Sequence, residues 1–180
     1  MKGFFIKSMA FLMVMAMSVS LAACGDDDND NNINSEPEVP QQKYSEIVMK
    51  YTLSLSQEYY DLWDIQVTYT GRDGETKTET IDRNWTVEYR YNPQEEIPES
   101  FTFNAQGLPK AGGVNVVPDK LYKLAKSHQF VATGISSTGN VLIGGEASLI
   151  STSMSYKGEQ LSTRLAEGIK ITEGQYKIKL

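Results

Sequence analysis

Trp63-Asp64-Ile65-Gln66-Val67-Thr68-Tyr69-Thr70-Gly71-Arg72-Asp73-Gly74 alternates large apolar and polar side chains and then stops at a turn sequence. Successive side chains of an extended chain point to opposite faces, so Trp63, Ile65, Val67 and Tyr69 share one face that a core must cover. Asp-Gly between alternating runs signals a hairpin, because both positions tolerate positive φ. With Asp73 and Gly74 as a two-residue loop, Arg72 faces Glu75, Tyr69 faces Thr78 and Val67 faces Thr80, which sets opposite charges at the neck. A three-residue loop with a bulge at Gly74 slips the register by one and brings Lys77 and Glu79 to that face instead. The two-residue register is the expected one.

The same period of two recurs on both sides of this hairpin. Upstream, Ile47, Met49, Tyr51, Leu53 and Leu55 alternate with Val48, Lys50, Thr52 and Ser54. Downstream, Trp85, Val87, Tyr89 and Tyr91 form a run closed by Asn92-Pro93, and Phe101 and Phe103 mark a short strand. Residues 118–128 read two ways, since Leu121, Leu124, Ala125 and His128 fit a helical face and Tyr122, Leu124, Phe130 and Ala132 fit a strand. A brief helical turn or irregular entry into a strand over 127–135 is expected. Val141 to Ile150 reads as the return strand, with a bulge or bend at Gly144-Gly145. Leu161–Leu165 and Ile169–Ile171 are weaker strand candidates, and Tyr176, Ile178 and Leu180 alternate at the end. Seven to nine strands without a repeated helical pattern predict an all-β, antiparallel β-sandwich of immunoglobulin-like arrangement; an up-and-down lipocalin-like barrel is the alternative.

The first 42 residues do not belong to that domain. Lys2 and Lys7 precede an apolar run from Met9 to Val19, which is shorter than the roughly 20 residues a membrane-spanning helix needs, so residues 1–23 read as a secretory signal. Leu21-Ala22-Ala23-Cys24 ends it, and Cys24 is the only cysteine in the chain. A lone cysteine at a processing site is better read as a modified thiol than as half of a disulfide. Residues 24–42 then carry six acidic and no basic side chains with almost nothing apolar, the composition of a solvated tether. Residues 43–180 remain as a single domain.

Leu21-Ala22-Ala23-Cys24 resembles the lipobox of bacterial lipoproteins, and Asp26-Asp27-Asp28-Asn29-Asp30 resembles the export signal of Bacteroidetes-type surface lipoproteins. The resemblance implies lipidation at Cys24 and a place on the outer face of the outer membrane, held there by the lipid anchor. The stretch Trp63 to Trp85 is similar in texture to small immunoglobulin-like domains of such lipoproteins, and it carries no site residues across.

Charge and residue inventory narrow the function. The chain holds 17 basic and 23 acidic residues. Lys2 and Lys7 leave with the signal and the tether takes six of the acids, so residues 43–180 hold 15 basic against 17 acidic side chains. A nearly neutral domain offers no basic field to nucleic acid. His128 is the sole histidine, and with Cys24 modified the domain lacks the ligands for a zinc site, so no metal or cofactor is expected. Ser127 adjoins His128 but points to the opposite face of a strand, and no nucleophile elbow occurs. Asp61, Asp64, Asp82, Glu88, Glu95 and Glu96 could supply paired carboxylates, though solvated surface charge is the expected role. Tyr59, Tyr60, Tyr89 and Tyr91, near strand ends, are the candidates for a ligand-stacking face. The expected function is a non-catalytic surface module binding a glycan, a peptide or a partner protein of an outer-membrane complex. A structural or adhesive subunit assembling through edge strands is the alternative, and an enzyme with a carboxylate site comes third.

Overall fold

The computed structural model describes residues 44–180. The signal segment, Cys24 and the acidic tether lie outside the described residues.

Among the described residues, nine strands form two antiparallel sheets that pack as a sandwich, not as a closed barrel. β1 (Glu46–Leu55) pairs with β4 (Trp85–Tyr91) on one side and β6 (Leu121–Ser136) on the other; β7 (Gly139–Gly145) and β8 (Ile150–Lys157) pair with successive halves of β6. The second sheet runs β3 (Thr76–Ile81), β2 (Trp63–Thr70), β5 (Ser100–Pro109), β9 (Ile169–Lys177). The first five strands follow the B-C-C′-E-F path of an immunoglobulin sandwich, with β1 beside β4 in one sheet and β2 between β3 and β5 in the other. Between the F-like β5 and the G-like β9 the chain inserts β6, β7, β8 and helix α2 (Gly158–Glu167), so β6 occupies the flank of β1 where a strand A would lie. A short helix, α1 (Gln57–Leu62), makes the crossing from β1 to β2.

The core forms where the alternation requires it. Ile47, Met49, Tyr51, Leu53 and Leu55 are buried from one sheet, and Trp63, Ile65, Val67, Tyr69, Phe101 and Phe103 from the other. Tyr51 joins the layers, with its ring centroid 4.8 Å from Phe130 and 5.5 Å from both Tyr69 and Phe103. Its hydroxyl donates to the Thr70 carbonyl at 2.9 Å, which satisfies a polar group that burial would otherwise penalise. Trp63 is 1% exposed and packs against Tyr59 of α1, while its Nε1–H donates to the Arg164 carbonyl of α2 at 3.0 Å.

Three sequence expectations are corrected. The β2–β3 hairpin takes the three-residue loop: Gly71 N–H donates to Glu75 O, Gly74 sits at φ 82°, and the Asp73 carboxylate accepts from Glu75 N–H at 3.2 Å. Tyr69 therefore faces Lys77 and Val67 faces Glu79. The charges are tolerated because β3 is a sheet margin: Lys77 pairs with Asp73 at 3.6 Å, and Glu79 accepts from the Tyr69 hydroxyl and from Trp85 Nε1. Residues 121–128 are strand, continuous with β6, because Tyr122 and Leu124 fall on the inward face shared with His128, Phe130 and Ala132. Leu161 and Leu165 lie in α2, four residues apart on one helical face, and that helix stops at Gly168, φ 85°, whose N–H donates to Arg164 O.

Candidate functional site: the uncovered β8 edge

The tyrosines proposed for stacking do not form a shared face. Tyr59 and Tyr91 are each 1% exposed, and burial pushes both hydroxyl pKa values up to about 12. Tyr91 donates to Arg72 O at 3.1 Å beneath the Arg72 guanidinium, so neither ring offers a free surface to a sugar. Tyr60 and Tyr89 are half-buried. The carboxylates are dispersed, and four of them are engaged: Asp61 accepts from Gln57, Asp82 pairs with Arg83, Glu88 with Arg90 and Glu95 with Arg72. Among the described residues, no group of three or more His, Cys, Asp or Glu is placed to hold a metal ion.

His128 occupies an inward position on β6 and is 8% exposed. Burial lowers its pKa, with Lys126 acting in the same direction and Glu146 opposing. Its Nδ1 has no hydrogen-bond partner among the described residues. Lys126, also inward, donates its ammonium to the Ile171 carbonyl of the facing sheet, and burial lowers its pKa too. Glu146 accepts from Tyr176 of β9 at 3.2 Å.

The distinctive surface is a sheet margin. The other three margins carry charge in the strand: Lys77 and Glu79 on β3, Glu88 and Arg90 on β4, and Lys170, Glu173 and Lys177 on β9. Charges at an edge are a common device against pairing with another chain. From Gly139 to Tyr156 there is one, Glu146, and its carboxylate is tied to Tyr176. β7 and β8 lie along the same side of β6, separated by a bulge over 146–149. Gly145 turns that corner at φ 83°, where a Cβ would overlap the Phe130 carbonyl, and Glu146 N–H donates to the same carbonyl at 2.8 Å.

The two halves of this margin differ. The C-terminal segment closes the β7 half, since Lys179 N–H donates to Ile143 O at 2.8 Å and Ile178 lies against Gly144. Among the described residues, no backbone hydrogen bond reaches the outer side of β8 between Ile150 and Tyr156. The direction of its groups follows from neighbouring bonds. Gly158 N–H donates to Lys120 O, so in the alternating antiparallel ladder the even residues of β8 point their N–H and C=O at β6. The odd residues Ser151, Ser153 and Ser155 point theirs outward, and Lys157 N–H, next in the series, is capped by Gln160 Oε1 at 2.8 Å.

Side chains sort by the same parity. Ile150, Thr152, Met154 and Tyr156 pair with His128, Lys126, Leu124 and Tyr122 and share their face; Ile150 is 40% and Met154 45% exposed. Ser151 and Ser153 lie on the other face, beside Ser54, Ala125 and Ser127 around a shallow depression of about 470 Å³. The sequence reading ends its return strand at Ile150 and marks no strand over residues 151–157, so β8 and its open margin were both missed; the margin depends on the long-range pairing that leaves β8 outermost. No protein-family model, no curated protein and no solved structure matches the chain.

Proposed function

We propose that the protein is a lipid-anchored, surface-exposed module of the outer membrane whose working surface is the β8 edge, to which an extended polypeptide strand is added. The lipobox-like Leu21–Cys24 and the acidic run after it support the location. The observation that carries the activity is the uncharged margin over Ile150–Tyr156, with the N–H and C=O groups of three serines turned to solvent. In strand addition the main chain supplies affinity and alternate side chains supply selectivity. An incoming strand would meet Ile150 and Met154 on one face and a row of serines on the other.

The test is a peptide and glycan array probed with the full-length protein and with Ser153→Pro. Proline removes one outward N–H and leaves the ladder to β6 intact, a substitution that edge strands accommodate. Extended peptides rich in β-branched residues should bind, and the variant should lose them. Glycan binding, or peptide binding that Ser153→Pro leaves unchanged, sinks the edge reading and returns attention to the half-buried Tyr60 and Tyr89.

A further inference from the structure

We infer that the strand added to β8 is the β8 strand of a second copy of this chain, paired antiparallel about a two-fold axis; this rests on the edge reading above. A two-fold normal to the sheet preserves faces, so residues of like parity must meet. With the axis at Ser153, Ser153 faces its own copy and Ser151 faces Ser155 of the second copy. These are the three residues whose main-chain groups point outward, and all of them find partners in this one register, making about six inter-chain hydrogen bonds. The intervening pairs are Ile150 with Tyr156 and Thr152 with Met154, on the face where side chains of non-hydrogen-bonded pairs approach most closely. No charge lies between Ile150 and Tyr156, so the two copies meet without like charges in opposition, and Lys157 falls opposite Leu149. Smallness favours the contact on the other face as well, because the outer rows from both copies are serines.

The membrane anchor proposed for Cys24 adds a second contribution. Chains tethered in one plane encounter each other at raised effective concentration, so an edge contact too weak for dilute solution becomes populated at the surface.

The register makes the inference testable by cross-linking in the full-length, cell-surface protein. A hydrogen-bonded antiparallel pair places Cα atoms about 5.5 Å apart, within disulfide range. Ser153→Cys should therefore give a species of doubled mass on a non-reducing gel after mild oxidation. Ser151→Cys alone should not, because its own copy lies four residues away along the strand, roughly 13 Å. Ser151→Cys mixed with Ser155→Cys should cross-link again, and wild type treated alike should remain a monomer, which removes any contribution from Cys24. Equal cross-linking of Ser151→Cys and Ser153→Cys would mean collision without register and overturns the proposal. A monomeric Ser153→Cys with peptide binding intact means that the edge takes a foreign strand and not its own copy. If peptide binding is absent too, the edge reading itself fails.

Discussion

Replacing Trp63 by alanine removes the side chain on which three elements converge. The ring is 1% exposed, its centroid lies 6.0 Å from that of Tyr59 in α1, and its Nε1–H holds the Arg164 carbonyl of α2 at 3.0 Å. Beneath it, Gly107 on β5 leaves the necessary room, since a Cβ there would lie 2.8 Å from Trp63 Cβ and Cγ. A large-to-small change at such a position costs about 3 to 5 kcal/mol, because surrounding backbone and helices collapse only in part into the cavity. The lost hydrogen bond adds about 1 kcal/mol at most, as Arg164 O keeps its bond from Gly168 N–H. Against a total of about 5 to 15 kcal/mol, the variant should lose a large share of its stability. For a domain of this size that is a fall in Tm of roughly 12 to 20 °C. Trp63→Phe, which keeps most of the apolar area, should lose roughly 4 to 8 °C. The assay is thermal and urea unfolding followed by circular dichroism. Thr68→Ala is the control: Thr68 Oγ1 shares a hydrogen bond with Thr78 Oγ1 on the outward face at 3.1 Å, and its loss should stay within about 0.5 kcal/mol. A Trp63→Ala protein melting within about 2 °C of wild type would refute the assignment of this ring to the inter-sheet core.

Two further outcomes follow from particular residues. Cys24→Ala should lose fatty-acid labelling and leave the membrane fraction or accumulate as precursor; a variant that still labels and still fractionates with membranes removes the lipobox reading. Burial holds His128 below its ordinary pKa in the folded state, so the unfolded chain binds the extra proton first as pH falls. The destabilisation begins as pH drops through about 6.5 and grows until the folded-state value is reached. Urea midpoints at pH 7.5, 6.5 and 5.5 should therefore fall more steeply for wild type than for His128→Gln, and parallel slopes would show that His128 titrates alike in both states.

Period-two alternation made the strand class and most of the core legible, because which face a side chain takes is a local property of extended backbone. Ile47 to Leu55 and Trp63 to Tyr69 are buried as their spacing requires. Even the bulge near Gly144-Gly145 could be read, since only glycine accepts the conformation found at Gly145. The site was less legible. Tyr59 and Tyr91 sit near strand ends in the sequence, yet the packing of α1 and β4 buries them, and no local pattern separates a stacking ring from a core ring.

The sequence by itself determined an antiparallel β domain, most of its inward residues and the distinct composition of the first 42 positions, because hydrophobic period, turn chemistry and composition act over a few neighbouring residues. Tertiary structure alone decided the hairpin register, the extension of β6 through residues 121–128 and the position of β8 as an edge with no partner strand on its outer side among the described residues. Each of these depends on which distant segment comes to lie alongside. Thr78 and Lys77 are both possible partners for Tyr69 until the loop closes at Gly74, and Ser153 has outward hydrogen-bonding groups only because β6 takes its even-numbered neighbours while the C-terminal segment stops at Ile143.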